Sequence, residues 1–290
     1  MGAAAFGDVL ETVLAPEIPR APAFIVTIYG DAVEPRGGTL WMGDLVACCA
    51  VQGISESLVR TAVSRLVAGG KLLGDRIGRK SYYRLTDEAQ AEFRDAARIL
   101  YDPPPPARGW LIALQPGGEA LPPGWASMGQ GSAMAPHRED IRQVDGPVLA
   151  AEAVRNPGGL RAYAAERWDL QTVAGRYRQF LDRFAALGGL LSREEGRFDI
   201  GGELALALRL QLVHHYRLAA LKDPRLPREA WPADWPAEAA RRLFVRAYLA
   251  LAGAADEHIG HSFRDSDGLL PPVTEATVLR LNRLAREAVR

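Results

Sequence analysis

The sequence predicts an α+β chain, mostly helical and divided into separable parts, on the strength of three stretches. Residues 54–86 (ISESLVRTAVSRLVAGGKLLGDRIGRKSYYRLT) read as a polar-capped helix that runs into a basic two-stranded ribbon. Residues 103–106 are four consecutive prolines, which cannot continue a helix and hold the chain in a stiff extended segment. Beyond residue 159, apolar side chains recur at helical spacing over 160–187, 203–222, 237–254 and 273–290. The expected division is an N-terminal arm at 1–20, a helix-and-ribbon domain at 21–102, a linker with a small sheet subdomain at 103–158, and a helical domain at 159–290.

The arm carries Phe6, Val9, Leu10, Val13 and Leu14, enough for one amphipathic helix, and its acids without a basic leader argue against a signal peptide. The apolar run FIVTIYG that follows suits a buried helix or a buried strand. After the turn Glu34-Pro35-Arg36-Gly37-Gly38, residues 40–51 read as a helix with Leu45, Val46 and Cys49 inward. Gly53 separates it from Ser55, whose hydroxyl suits the cap of the next helix. On that helix Leu58, Val59, Ala62, Val63, Leu66 and Val67 share one face, and Gly69-Gly70 ends it. Extended runs at 71–77 and 81–85 are joined by the turn Gly78-Arg79-Lys80. Helix, helix, turn, helix and hairpin is the order of a winged helix-turn-helix. Thr86-Asp87-Glu88 then caps a helix over 88–100.

The outer face of the third of these helices carries Ser57, Arg60, Thr61, Ser64 and Arg65. Arginine pairs with guanine in the major groove, and short hydroxyls reach phosphates or base edges, so this face suits duplex DNA. Arg79, Lys80 and Tyr82 are the corresponding candidates in the ribbon, where cations neutralise phosphates. From Ser55 to Arg84 the basic residues Arg60, Arg65, Lys71, Arg76, Arg79, Lys80 and Arg84 are set against only Glu56 and Asp75. The chain as a whole is neutral, with 35 Lys plus Arg and 35 Asp plus Glu, so attraction for nucleic acid must come from this clustering.

Past the prolines, residues 109–115 (GWLIALQ), 124–129 and 147–153 read as short strands between Gly- and Pro-rich turns. Trp168, Tyr177, Phe180 and Phe184 fall at helical spacing and are expected in a core. Cys48 and Cys49 are the only cysteines and are adjacent, which fits buried thiols in a reducing cytoplasm. No apolar run approaches the about 18 residues of a membrane span, so no membrane partner is expected.

Taken together, TIYGDAVEPRGGTLWMGDLV, ISESLVRTAVSRLVAGGKL and GRKSYYRLT resemble the N-terminal domain of the PaaX family of repressors of phenylacetic acid degradation. Tyr177-Arg178-Gln179-Phe180, the block from Leu212 to Arg217, and LKDPRLPREAWPADWPAEAARRLF resemble the family's C-terminal domain. The resemblance implies a winged-helix DNA-binding domain, a small central domain similar to the ferredoxin-like Cas2 fold, and a helical C-terminal domain. It also implies a cytoplasmic homodimer that binds a palindromic operator and is released by an aryl-CoA thioester such as phenylacetyl-CoA. The family places a helix between the first two central strands, where this chain has only residues 116–123, so a truncated subdomain is expected. The family's His-Glu-Tyr-Arg run is His214-His215-Tyr216-Arg217 here.

An aryl-CoA effector needs cations for its phosphates and an apolar slot for its ring. Trp168, Arg176, Tyr177 and Arg178, with Arg161 and Arg167 nearby, are candidates for that role. His214, His215 and Arg217 join them through the resemblance, either touching an effector or locking helices together. His258 and His261, beside Asp256 and Glu257, lack a third ligand at suitable spacing, so no metal and no cofactor is expected. Asp265-Ser266-Asp267-Gly268 departs from a calcium loop in the offset of its Gly and of the closing Glu. No nucleophile elbow, P-loop or dinucleotide fingerprint is present, and the end of the first central strand holds Gln115 where Cas2-like nucleases use an aspartate. The expectation is therefore a regulator and no enzyme. The rival reading is an enzyme acting on an acyl-CoA or nucleotide, with an appended DNA-binding domain.

Overall fold

The computed structural model describes residues 13–14, 18–118, 120–155, 157–193 and 200–289. The chain divides into two compact units. The first gathers Met1–Asp102, Gln179–Leu218 and Ala239–Arg290, and the second gathers Pro103–Arg178 and Ala219–Glu238. Phe6, Val9 and Leu10 of the arm lie outside the described residues. Val13 is buried, and its carbonyl accepts a hydrogen bond from Arg183 Nη2 at 3.0 Å.

The first helix that lies wholly within the described residues is α1 (Ala21–Ile28), which has Pro22 in its first turn, where a missing amide hydrogen costs nothing. A π-helical turn (Tyr29–Val33) and a 3-10 turn (Glu34–Arg36) continue it, so FIVTIYG resolves as helix, with Phe24, Ile25, Ile28 and Tyr29 buried. Next come β1 (Thr39–Trp41) and α2 (Met42–Ala50). Leu40 and Trp41 therefore pair with Tyr83 and Tyr82 in a strand and do not start the helix. Only Leu40 of the three β1 residues is buried, the period-two pattern of a strand. There follow α3 (Glu56–Ala68), β2 (Leu72–Ile77), β3 (Lys80–Leu85) and α4 (Asp87–Tyr101). The three strands form an antiparallel sheet in the order β1-β3-β2. Ile77 pairs with Lys80, which tightens the turn to Gly78-Arg79, with Gly78 supplying a φ of +61°. Thr86 caps α4, its Oγ1 accepting from the Ala89 amide at 3.1 Å. Ser55 occupies the cap position of α3 but its hydroxyl lies 3.2 Å from Ser57 Oγ and caps no amide.

The remaining elements are β4 (Trp110–Leu114), β5 (Ala126–Gly129), β6 (Ser132–Pro136), β7 (Val148–Ala151), α5 (Leu160–Arg167), α6 (Leu170–Arg193), α7 (Gly202–Ala220), α8 (Ala237–Ser262) and α9 (Glu275–Ala288).

The first unit is centred on a buried ionic cluster. Asp31 is fully buried and accepts from Arg209 Nε at 2.9 Å and from the hydroxyls of Tyr101 and Tyr248, each at 2.9 Å. Arg280 lies 3.3 Å from the same carboxylate. Arg209 also reaches Asp256 at 2.7 Å, and Asp256 receives Arg36 at 2.9 Å. Burial alone would raise the Asp31 pKa, but the guanidiniums of Arg209 and Arg280 and the two tyrosine hydroxyls hold it below the usual carboxylate range. The cluster ties α1 and its π-helical extension to α7, α8 and α9. For that reason residues 159–290 do not stand as one body: most of them pack with residues 21–102, while 160–178 and 219–238 belong with the second unit.

The second unit carries an antiparallel sheet in the order β5-β6-β4-β7. Trp110 and Ile112 of β4 join Met134, Ala164, Leu170 and Leu226 in one cluster, and Leu111 and Ala113 join Trp125 and Ala133 in another, as strand alternation requires. β6 has no counterpart among the strands read from the sequence. Its turn is made by Gln130 and Gly131, both at positive φ. Among the described residues between β4 and β5 there is no helix. The single helix expected at 160–187 is two, broken at Trp168 and Asp169, the latter at φ 46°. The break lets Trp168 donate from Nε1 to the Gly124 carbonyl at 2.9 Å and pack 5.8 Å from Trp110.

Candidate nucleic-acid interface

α3 presents Ser57, Arg60, Thr61, Ser64 and Arg65 to solvent, while Val59, Ala62 and Val63 are buried against the rest of the first unit. The apolar stripe is narrower than its periodicity implies, since Leu58 is 54% and Val67 37% exposed. Two of the five outer side chains are engaged within the helix. Arg60 pairs with Glu56 at 2.7 Å, and Thr61 Oγ1 donates to the Ser57 carbonyl at 2.9 Å. Both partners of the ion pair are more than half exposed, so it is weak and open to exchange for a phosphate. Ser64 and Arg65 make no side-chain hydrogen bond or ion pair among the described residues.

The hairpin of β2 and β3 continues the cationic surface with exposed Arg76, Arg79, Lys80 and Arg84. Counting Arg60 and Arg65, six exposed cations are opposed by Glu56 and Asp75 alone, and Asp75 is taken by Arg84 at 3.4 Å. Lys80 Nζ, at the turn end of the hairpin, rests 5.0 Å from the Trp41 ring centroid of β1. Tyr82 departs from the sequence reading: it is 7% exposed and packs opposite Trp41 and Asp75, on the sheet face it shares with Lys80 and Arg84, so little of it is open to a phosphate.

The turn between α2 and α3 is pinned by a residue the sequence did not single out. Gln52 is buried, donates to the Ala207 carbonyl at 3.3 Å and accepts from Gln211 at 2.6 Å. Its sequence signal is slight, a lone amide between Val51 and Gly53. Asp31, Arg36 and Arg209 were missed likewise, though Arg209 is visible afterwards as a single cation in the apolar run LALALRLQLV.

The candidate ligand residues fall in two groups. Trp168, Arg176, Tyr177 and Arg178 belong to the second unit. There Trp168 is half-buried in a tryptophan-rich cluster, Tyr177 donates to Asp223 at 2.9 Å, and Arg178 pairs with Asp234. His214, His215 and Arg217 belong to the first unit. His214 Nδ1 lies 2.9 Å from Thr27 Oγ1, and Arg217 donates to the Ala23 carbonyl at 3.0 Å, so both brace α7 against α1. Burial, with Arg217, His215 and Arg183 nearby, pushes His214 down to about 3; burial and Arg183 push His215 down to about 4. Both imidazoles are thus neutral and offer no charge to a phosphate. Among the described residues no three His, Cys, Asp or Glu side chains are grouped as metal ligands, and no helix is long and apolar enough to cross a membrane. Burial drives both cysteine thiols up, Cys49 to about 12, so neither is a reactive thiolate.

The model of the family "PaaX-like protein" matches residues 20–89, and that of "PaaX-like protein C-terminal domain" matches residues 168–261. The transcriptional repressor PaaX of Escherichia coli (strain K12) is 32% identical over 273 residues, covering 86% of each chain. The chain belongs to the PaaX family. The PaaX match to residues 20–89 takes in the whole of α3 and the hairpin. The E. coli relative is named as a transcriptional repressor, which speaks for the regulator over the enzymatic rival. Among solved structures, the uncharacterized protein Rv0674 from Mycobacterium tuberculosis is 21% identical with a TM-score of 0.47, covering 82% of this chain and 97% of that one.

Proposed function

We propose that the protein is a PaaX-type transcriptional repressor that binds duplex DNA through a winged helix-turn-helix made of α2, α3 and the β2–β3 hairpin. The observation that carries this reading is the joint exposure of Arg60, Ser64 and Arg65 on α3 and of Arg76, Arg79 and Lys80 on the hairpin, in a chain of zero net charge. In this reading α3 enters the major groove, where Arg65 and Arg60 reach base edges, and the hairpin cations sit on phosphates. A homodimer spaces two such helices for a palindromic operator, in the cytoplasm. The strand order β5-β6-β4-β7 supports a ferredoxin-like, Cas2-like central subdomain reduced to its sheet.

An aryl-CoA thioester of the phenylacetyl-CoA kind is the proposed effector. Because His214 and Arg217 are committed to bracing α7 against α1 and His215 is held neutral, the cations for its phosphates would come from Arg176 and Arg178 beside Trp168 and Tyr177. Effector and operator then weaken each other by the same factor.

The test is a fluorescence-anisotropy titration of the full chain onto a duplex from upstream of its own gene and onto a scrambled duplex, at several salt concentrations. Binding that is at least about 10³-fold tighter on the upstream duplex and weakens steeply with salt supports the reading. Equal affinity for both duplexes overturns it. Phenylacetyl-CoA added to the bound complex should release the duplex, whereas free coenzyme A should not.

A further inference from the structure

Within the first unit a pocket of about 260 Å³ lies where α2 meets the start of α7 and the end of α8. Asp44, Glu203, His258, His261 and Arg264 give it a polar wall, and Ala47, Val51 and Leu206 an apolar one. Asp44 is 6% exposed, yet its Oδ2 has no hydrogen-bond partner among the described residues. Its other oxygen is 3.4 Å from Arg264 Nη2. The buried Nε of Arg264 is also without a partner. A buried acceptor and a buried donor left open side by side are costly, and native structures satisfy such groups.

The open cation is held in place. The Arg264 carbonyl accepts the Trp41 amide at 2.8 Å, and its guanidinium lies 5.1 Å from the Trp41 ring centroid. Gly43 makes room for that ring, since a Cβ there would come within 2.5 Å of it. Burial raises the Asp44 pKa against the pull of the Arg264 guanidinium and amide and of Lys80, as for a carboxylate short of positive charge. A metal ion is not the occupant this wall suits, because no three ligand side chains are grouped for one among the described residues. The volume falls below the roughly 300–1,000 Å³ of drug-sized sites and is too small for a coenzyme A thioester.

We propose that this pocket binds a small zwitterion of the amino-acid class, with its ammonium group on Asp44 Oδ2 and Glu203 and its carboxylate on Arg264 Nε. The ligand's side chain lies against Ala47, Val51 and Leu206, and His258 and His261 flank the carboxylate. The site does not depend on the DNA-binding reading.

The experiment is a thermal-shift screen of the full chain against the twenty standard L-amino acids, followed by calorimetry on any that raise the Tm. Each binder is then compared with the amine lacking its carboxylate and the acid lacking its ammonium group. At least one amino acid should bind one-to-one, with the amine, the acid, Asp44→Asn and Arg264→Gln each weakening it by about tenfold or more, the scale of a lost charged hydrogen bond. Ala47→Leu, at an exposed wall position of α2, should block the pocket and decides the matter if Asp44→Asn does not fold. The proposal is overturned if none of the twenty binds, if the amine or the acid binds as well as the zwitterion, or if binding survives Ala47→Leu.

Discussion

The arginines of α3 and the hairpin and those of the Asp31 cluster are the same side chain put to opposite uses. Arg60 is 58% exposed and shares a solvent-screened pair with Glu56, whereas Arg209 is 1% exposed and bridges Asp31 and Asp256. An exposed guanidinium contributes little to the fold and remains available to a partner. A buried one contributes specificity of packing and cannot be released without leaving opposite charges stranded. The largest expected effect follows from the buried set. Asp31→Ala strands Arg209 and Arg280 and should cost about 3–5 kcal/mol in urea unfolding. Replacing both partners, Asp31→Leu with Arg209→Met, should recover part of that loss. If Asp31→Ala unfolds at the wild-type midpoint, the cluster is not what holds α1 to α7 and α9.

The exposed set is sharpened by Arg60→Ala combined with Arg65→Ala. Stability should change by no more than about 0.5 kcal/mol, since only a solvent-exposed pair is removed. Operator affinity should fall about tenfold or more, with a shallower salt dependence. Unchanged affinity at controlled salt would mean that α3 does not face the DNA.

Between these extremes stands His215, half-buried beside Phe184 and held down to about 4. A histidine whose folded pKa lies below its unfolded value binds more protons when unfolded. Its contribution is complete above the unfolded value, near 6.5, and is lost as pH falls toward 4. Wild-type stability measured from pH 7 to pH 5 should therefore fall more steeply than that of His215→Gln, by at most about 1.4 kcal/mol per pH unit. Parallel slopes would show that the imidazole is not kept neutral.

The two sets were also unequally legible in the sequence. α3 announced itself through local signals: a stop at Gly69-Gly70, apolar spacing, and arginines on the other face. The Asp31–Arg209 pair joins positions 178 residues apart, and no local pattern predicts such a partner. The same limit explains Leu40 and Trp41, whose strand partners lie in β3, and β6, whose Ser-Ala-Met-Ala-Pro is too small-residued to read as a strand by β-branched or aromatic content. It also explains the Trp168 break, which is set by Gly124 and Trp110.

Tyr82 gives the smallest expected effect and tests the border between the two sets. In KSYYRL the two tyrosines necessarily face opposite sides, and the sequence alone leaves open which side is covered. In the sheet Tyr83 lies opposite the buried Leu40 and is half-exposed, while Tyr82 lies opposite Trp41 and is 7% exposed, so both sides are covered. A ring 7% exposed contributes mainly by packing, which Phe reproduces. Tyr82→Phe should accordingly leave operator affinity and its salt dependence unchanged in the same anisotropy titration that registers the Arg60 and Arg65 substitutions. A several-fold loss confined to binding would return Tyr82 to the interface and mean that the hairpin opens on DNA to expose it.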